Sequence, residues 1–93
     1  QVLYAQNEPS RALAELIQAE LTAALLPENR RVPVPAGKDI YIMSHVHCTA
    51  VLVECGFLSH PQELSLLQSA DYQKKIASVL TACYLQFTEK GVL

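Results

Sequence analysis

The stretch Thr49-Ala50-Val51-Leu52-Val53-Glu54-Cys55-Gly56-Phe57 decides how the chain is read. Residues 49–53 lack polar alternation, so they read as a short strand buried on both faces, in the middle of a sheet covered by helices. Glu54 follows at the carboxyl end of that strand, where open α/β sheets place their ligands. A carboxylate there must be paired, solvated in a cleft or protonated, because an isolated buried charge is expensive. Gly56 lets a substrate or a second backbone approach closely. Composition and spacing alone leave two readings of Glu54 open: a surface or salt-bridged glutamate at a strand end, or a general acid or base tuned by partial burial.

Working outward, Asn7-Glu8-Pro9-Ser10 supplies a helix start. Leu13, Leu16, Ile17, Leu21, Ala24 and Leu25 then recur at helical spacing through Leu26, with Arg11, Glu15, Gln18 and Glu20 on the opposite face. Pro27 ends this helix by removing an amide and clashing with the preceding turn. Residues 28–38, rich in proline and arginine, predict a surface connection. Asp39-Ile40-Tyr41-Ile42-Met43 predicts a first strand, separated by Ser44-His45-Val46-His47 from the strand at 49–53. Ser59-His60-Pro61-Gln62-Glu63 opens a short helix carrying Leu64, Leu66 and Leu67, with Ser59 available at its entrance. Ser69 caps a last helix whose apolar face is Tyr72, Ile76, Val79, Leu80, Cys83 and Phe87, ending at Glu89-Lys90-Gly91. The order helix, strand, strand, helix, helix is that of an α/β protein. Two strands are too few for the helices that must cover them, so further strands are expected from upstream sequence or another chain.

At 93 residues the chain has room for one small domain. Its 51% hydrophobic and 17% charged residues exclude disorder, and no uninterrupted apolar run predicts a transmembrane segment. A net charge of −2, with only the local pairs Arg30-Arg31 and Lys74-Lys75, provides no footprint for nucleic acid. Residues 1–6 lack the pattern of a signal peptide and there is no initiating methionine, so a processed or truncated piece is expected.

Cys48, Cys55 and Cys83 have no CxxC spacing and are expected as small buried thiols. His45 and His47 form HxH, which on an alternating strand would point both rings one way, but Cys48, Glu54 and His60 supply no diagnostic spacing for further metal ligands. A nucleophilic pairing of Cys55 with His60 or His47 is chemically conceivable, yet nothing in the spacing enforces it. Ser59 lies outside a GxSxG elbow.

The longer run Ala50-Val51-Leu52-Val53-Glu54-Cys55-Gly56-Phe57-Leu58-Ser59-His60-Pro61-Gln62-Glu63 closely resembles the late active-site motif of the zinc-dependent N-acetylmuramoyl-L-alanine amidases, the amidase 3 family of cell-wall hydrolases, including its sporulation and germination members. The likeness extends to Ser10-Arg11-Ala12-Leu13-Ala14-Glu15-Leu16-Ile17-Gln18, which is similar to the helix after the family's last metal histidine. It also takes in Asn29-Arg30-Arg31, like the following loop, and Asp71-Tyr72-Gln73-Lys74-Lys75-Ile76-Ala77, like the terminal helix.

That resemblance implies a three-layer α/β domain, its mixed or mainly parallel sheet flanked by helices, of which residues 1–93 form the C-terminal half. The family's zinc ligands all precede the matched part, so the resemblance assigns no metal ligand to His45, His47 or His60 and expects the upstream half of the domain as a partner. The family's catalytic glutamate falls on Glu54. The implied reaction is cleavage of the amide between N-acetylmuramic acid and the L-alanine of the stem peptide in peptidoglycan, in the cell wall, periplasm or spore envelope, with an accessory protein as a possible partner. The isolated chain is expected to be inactive. The family often has arginine near Ser44, proline near Thr49 and asparagine at the position of His60, and these departures imply different substrate contacts and helix entry. The alternative is a noncatalytic structural or cell-wall-binding module on the same scaffold.

Overall fold

The computed structural model describes residues 1–89, so the expected helix end at Lys90-Gly91 lies outside the described residues. The order is β1 (Val2–Tyr4), α1 (Glu8–Leu25), β2 (Val34–Pro35), α2 (Tyr41–His45), β3 (Val51–Val53), α3 (Pro61–Leu67) and α4 (Ala70–Glu89). The sheet order is β2-β1-β3, with β1 parallel to β2 and antiparallel to β3. A mixed sheet flanked by helices is therefore the architecture, and α1 is the crossover between its two parallel strands.

Helix α1 begins where Asn7 Oδ1 accepts the Ser10 N–H at 3.0 Å, satisfying one of the free amides of the first turn. It buries Ser10, Leu13, Ala14, Ile17 and Gln18. Gln18 is a correction, since the spacing places it on the polar face. Its side chain is enclosed because Val2 faces Val53 in a rung that makes no ladder bond, which turns the Val2 N–H away from β3. Gln18 Oε1 accepts that N–H at 3.1 Å.

Helix α4 starts as expected, with Ser69 Oγ accepting the Tyr72 N–H at 3.3 Å. It buries Tyr72, Ile76, Cys83 and Phe87. Cys83 and Phe87 meet Leu13, Ala14 and Ile17 of α1 and Val2 of β1 in the main core. On the other face of the sheet a smaller core joins Ala5, Ala36 and Met43 to Leu3, Ile40, Val46 and Ala50.

Three expectations need correcting. Residues 39–43 do not form a strand. Ile40, Met43 and Val46 recur every third residue and turn inward, while Tyr41 and Ile42 are exposed, which is a helical period and accounts for α2. Two strands come instead from Val2–Tyr4 and from Val34–Pro35, the latter inside the expected surface connection. Finally, β3 lies at the edge of the described sheet. Val51 and Val53 pack on the helix side, but Leu52, on the opposite side, is 39% exposed.

Candidate active site

The backbone ladder between β1 and β3 continues past the strand ends. The Ala5 N–H donates to the Ala50 carbonyl at 3.0 Å, and at the other end the Glu54 N–H donates to the Gln1 carbonyl at 2.8 Å. The Gln1 nitrogen returns a bond to the Glu54 carbonyl at 3.1 Å. Glu54 is thus the last rung of the sheet, and its Cα is fixed although its side chain is exposed. Strict alternation assigns Glu54 to the face shared by Ala50 and Leu52, away from α1 and α4.

Cys55, the next residue, falls on the helix side. There it lines a narrow cleft with Gln18, Leu21, Asn29, Tyr72 and Ile76, behind the Glu54 backbone. The cleft volume of about 40 Å³ admits water but no sugar or peptide. Burial, followed by the nearby Cys55 and Glu63, pushes the Tyr72 hydroxyl above its ordinary pKa. Burial and then Glu20 do the same to the Cys83 thiol.

The connection from Glu54 to α3 is held from several directions. Gly56 lies so close to α3 that a Cβ there would sit 3.1 Å from Leu67 Cδ1 and 3.3 Å from its Cγ, a tight contact that the Leu67 side chain would have to yield to by a few tenths of an ångström. The Phe57 N–H donates to Glu63 Oε1 at 3.2 Å. The Arg31 guanidinium stacks over the Phe57 ring, 4.9 Å from its centroid. His60 caps α3, its Nδ1 accepting the Glu63 N–H at 3.4 Å, with Glu63 Oε2 3.5 Å from the same nitrogen. The cap is therefore His60 and not Ser59. Glu63 is read from the sequence only as part of a helix opening; the signal that marks it is its place three residues after the cap, the spacing of a capping box.

The remaining candidates do not gather around Glu54. His45 closes α2, where its Nδ1 is 2.8 Å from the Tyr41 carbonyl and 2.9 Å from Ser44 Oγ, and its ring stacks on Tyr41 at 3.8 Å. His47 follows in the loop and is exposed, so HxH does not present two rings on one strand face. Cys48 and Cys55 are exposed and only Cys83 is buried, which corrects the expectation of three buried thiols. Among the described residues no hydrogen bond joins Cys55 to a histidine; its thiol reaches only the Val53 carbonyl, at 4.0 Å. Nor do three or more His, Cys, Asp or Glu side chains among the described residues come together in a way that could hold a metal ion. These residues do not by themselves fit a zinc site. No helix among the described residues is long and apolar enough to cross a membrane.

A mixed sheet flanked by helices is also the fold that comparison with known proteins returns. Residues 1–83 match the family described as N-acetylmuramoyl-L-alanine amidase, and the chain belongs to that family. It is 42% identical over 89 residues to the germination-specific N-acetylmuramoyl-L-alanine amidase of Bacillus subtilis, covering 95% of this chain and 35% of that protein. A second relative in the same organism, the uncharacterized protein YqiI, is 32% identical over 75 residues, covering 81% of this chain and 35% of the relative. Among solved structures, the CwlD amidase of Clostridioides difficile in complex with the GerS lipoprotein superposes with a TM-score of 0.87 at 33% identity, over 96% of this chain and 45% of that one. The chain spans about a third of the length of the curated relatives it matches.

Proposed function

We propose that this chain supplies the proton-handling glutamate of a peptidoglycan amidase, and that Glu54 is that residue. The observation that carries the reading is the combination of a fixed backbone and an exposed carboxylate at the last rung of the sheet. In the proposed reaction, water attacks the lactyl carbonyl of N-acetylmuramic acid and Glu54 accepts its proton. The carbon–nitrogen bond then breaks, and Glu54 passes that proton to the departing amine of L-alanine, which restores the carboxylate. The zinc implied by the family resemblance is, in this reading, held by residues outside the described set.

The 35% and 45% coverages support residues 1–93 as one part of a larger catalytic domain, its C-terminal half, completed by an upstream half. The relative named for germination supports peptidoglycan of the spore envelope as substrate and an extracytoplasmic setting. The CwlD complex with a lipoprotein supports an accessory protein as partner.

The test is mass-spectrometric analysis of purified peptidoglycan incubated with the complete protein. Expected products are glycan ending in the free lactyl carboxylate and stem peptide with a free L-alanine amine. Glu54→Gln abolishes both products. Undiminished hydrolysis by that variant, or inactivation by thiol alkylation that spares a Cys55→Ser variant, overturns the assignment of Glu54 in favour of another group. A folded, complete protein that releases neither product is a noncatalytic member of the family.

A further inference from the structure

We propose that Glu63 is a positioning residue, fixing the segment from Glu54 to Phe57 so that the Glu54 carboxylate is held at the end of the sheet. The proposal rests on the reading of Glu54 given above.

The physical problem is the three residues after the last rung. The ladder fixes the Glu54 backbone from one side only, through its two bonds to Gln1. Beyond it, residues 54–57 belong to neither strand nor helix, and after the Glu54 amide the next one with a hydrogen-bond partner among the described residues is that of Phe57, which is met from α3. Glu63 is placed to do this. One carboxylate oxygen, Oε1, accepts the Phe57 N–H at 3.2 Å. His60 in turn accepts the Glu63 N–H, so the side chain that reaches back to the loop is itself seated on the first turn of α3.

In a capping box the acidic residue at this spacing bonds the cap's own amide. Here the carboxylate reaches three residues further back, to Phe57, and so ties the start of α3 to the approach from Glu54 and not merely to its own cap. Gly56 completes the arrangement, because its missing side chain lets the loop rest against Leu67 one turn further along the same helix. Helix α3 contains no buried residue, so holding this loop accounts for a side-chain arrangement that core packing does not.

The experiment compares Glu63→Ala and Glu63→Gln in the complete protein, with Ser69→Ala as a control that removes the α4 cap without touching the loop. Glutamine keeps an oxygen for the Phe57 N–H and alanine does not. The expected result is a kcat about ten- to a hundredfold lower for Glu63→Ala with KM little changed, as for a misplaced catalytic group. Glu63→Gln restores kcat towards the parent value, and Ser69→Ala keeps kcat at the parent value despite its lower melting temperature. Amide hydrogen exchange at Phe57, read by NMR, accelerates in Glu63→Ala and not in Glu63→Gln. Equal losses in the alanine and glutamine variants, a parental kcat in Glu63→Ala, or unchanged exchange at Phe57 overturns the proposal. The exchange measurement does not depend on turnover, so an active Glu54→Gln protein would remove the reading of Glu54 while Phe57 still reports whether Glu63 holds the loop.

Discussion

Glu54 and Gln1 exchange both of their backbone hydrogen bonds, at 2.8 and 3.1 Å, although Glu54 projects its carboxylate into solvent. The main chain locates the residue, and among the described residues no hydrogen bond or ion pair engages its side chain.

Glu54→Gln should for that reason leave the melting temperature of the complete protein unchanged while lowering kcat by about 10²- to 10⁴-fold, the usual contribution of a general acid–base group. Thermal unfolding and peptidoglycan turnover measured on the same preparation check this. A lowered melting temperature would mean that the carboxylate has a structural partner.

Ser10 presents the opposite case, a polar side chain with no surface exposure at all. Its Oγ accepts the Ala50 N–H at 2.9 Å, stitching α1 to the residue before β3. Ser10→Ala leaves that amide without its acceptor and should cost about 1–3 kcal/mol, read as a lowered urea midpoint at constant slope. An unchanged midpoint would show that the amide finds another acceptor.

Thiol chemistry should sort the three cysteines. Cys48 and Cys55 react with a small thiol reagent in the native protein, and Cys83 reacts only on unfolding. Because burial raises the Cys83 pKa above 9.0 and the Tyr72 pKa above 10.0, the folded state prefers both groups protonated. Their contribution to stability is complete below pH 9.0 and is lost as pH rises through the folded-state values. Melting temperature should therefore fall on the alkaline side, and Cys83→Val should move the onset of that fall to higher pH. A flat profile up to pH 10.0 in the parent contradicts this.

Gly56→Ala forces its new methyl to within 3.1 Å of Leu67 Cδ1 and should lower activity severalfold by pushing the loop off α3. Leu67→Ala removes the obstructing atoms, so the double variant should recover, with a coupling of about 0.5–3 kcal/mol in a kinetic double-mutant cycle. Strict additivity of the two changes would show that the contact is not what matters.

The long helices and the place of Glu54 at the end of a strand were legible because their signals are local. Asn7, Pro27 and Ser69 punctuate the chain, and Leu13, Ile17, Tyr72, Ile76, Cys83 and Phe87 repeat at helical spacing over four or more turns. What escaped depends on partners distant in sequence. Val2–Tyr4 is three residues long, too short for alternation to register, and Val34–Pro35 is flanked by prolines that mark a loop. Gln18 reads as surface until Val2 N–H is seen to need an acceptor. Residues 39–43 are rich in β-branched and aromatic side chains, so propensity favoured a strand; the three-residue spacing of Ile40, Met43 and Val46 is the competing signal, and tertiary packing follows it. Glu63 was invisible as a site residue because its partner, Phe57, is reached by a turn that spacing alone does not specify.

Among the described strands, the middle one, β1, precedes both of its neighbours in sequence. Its rung with Glu54 joins residues 53 positions apart, so closing it demands loop entropy before any pairing energy is returned. Strand pairing of this kind is slow compared with the formation of α1 or α4, which need only local contacts. Pairing of β1 with β3, and with it the placement of the Glu54 backbone, therefore follows the local formation of α1 and α4. The position of the Glu54 backbone thus depends on contacts between segments far apart in sequence, and is lost whenever β1 and β3 separate, however well the helices persist.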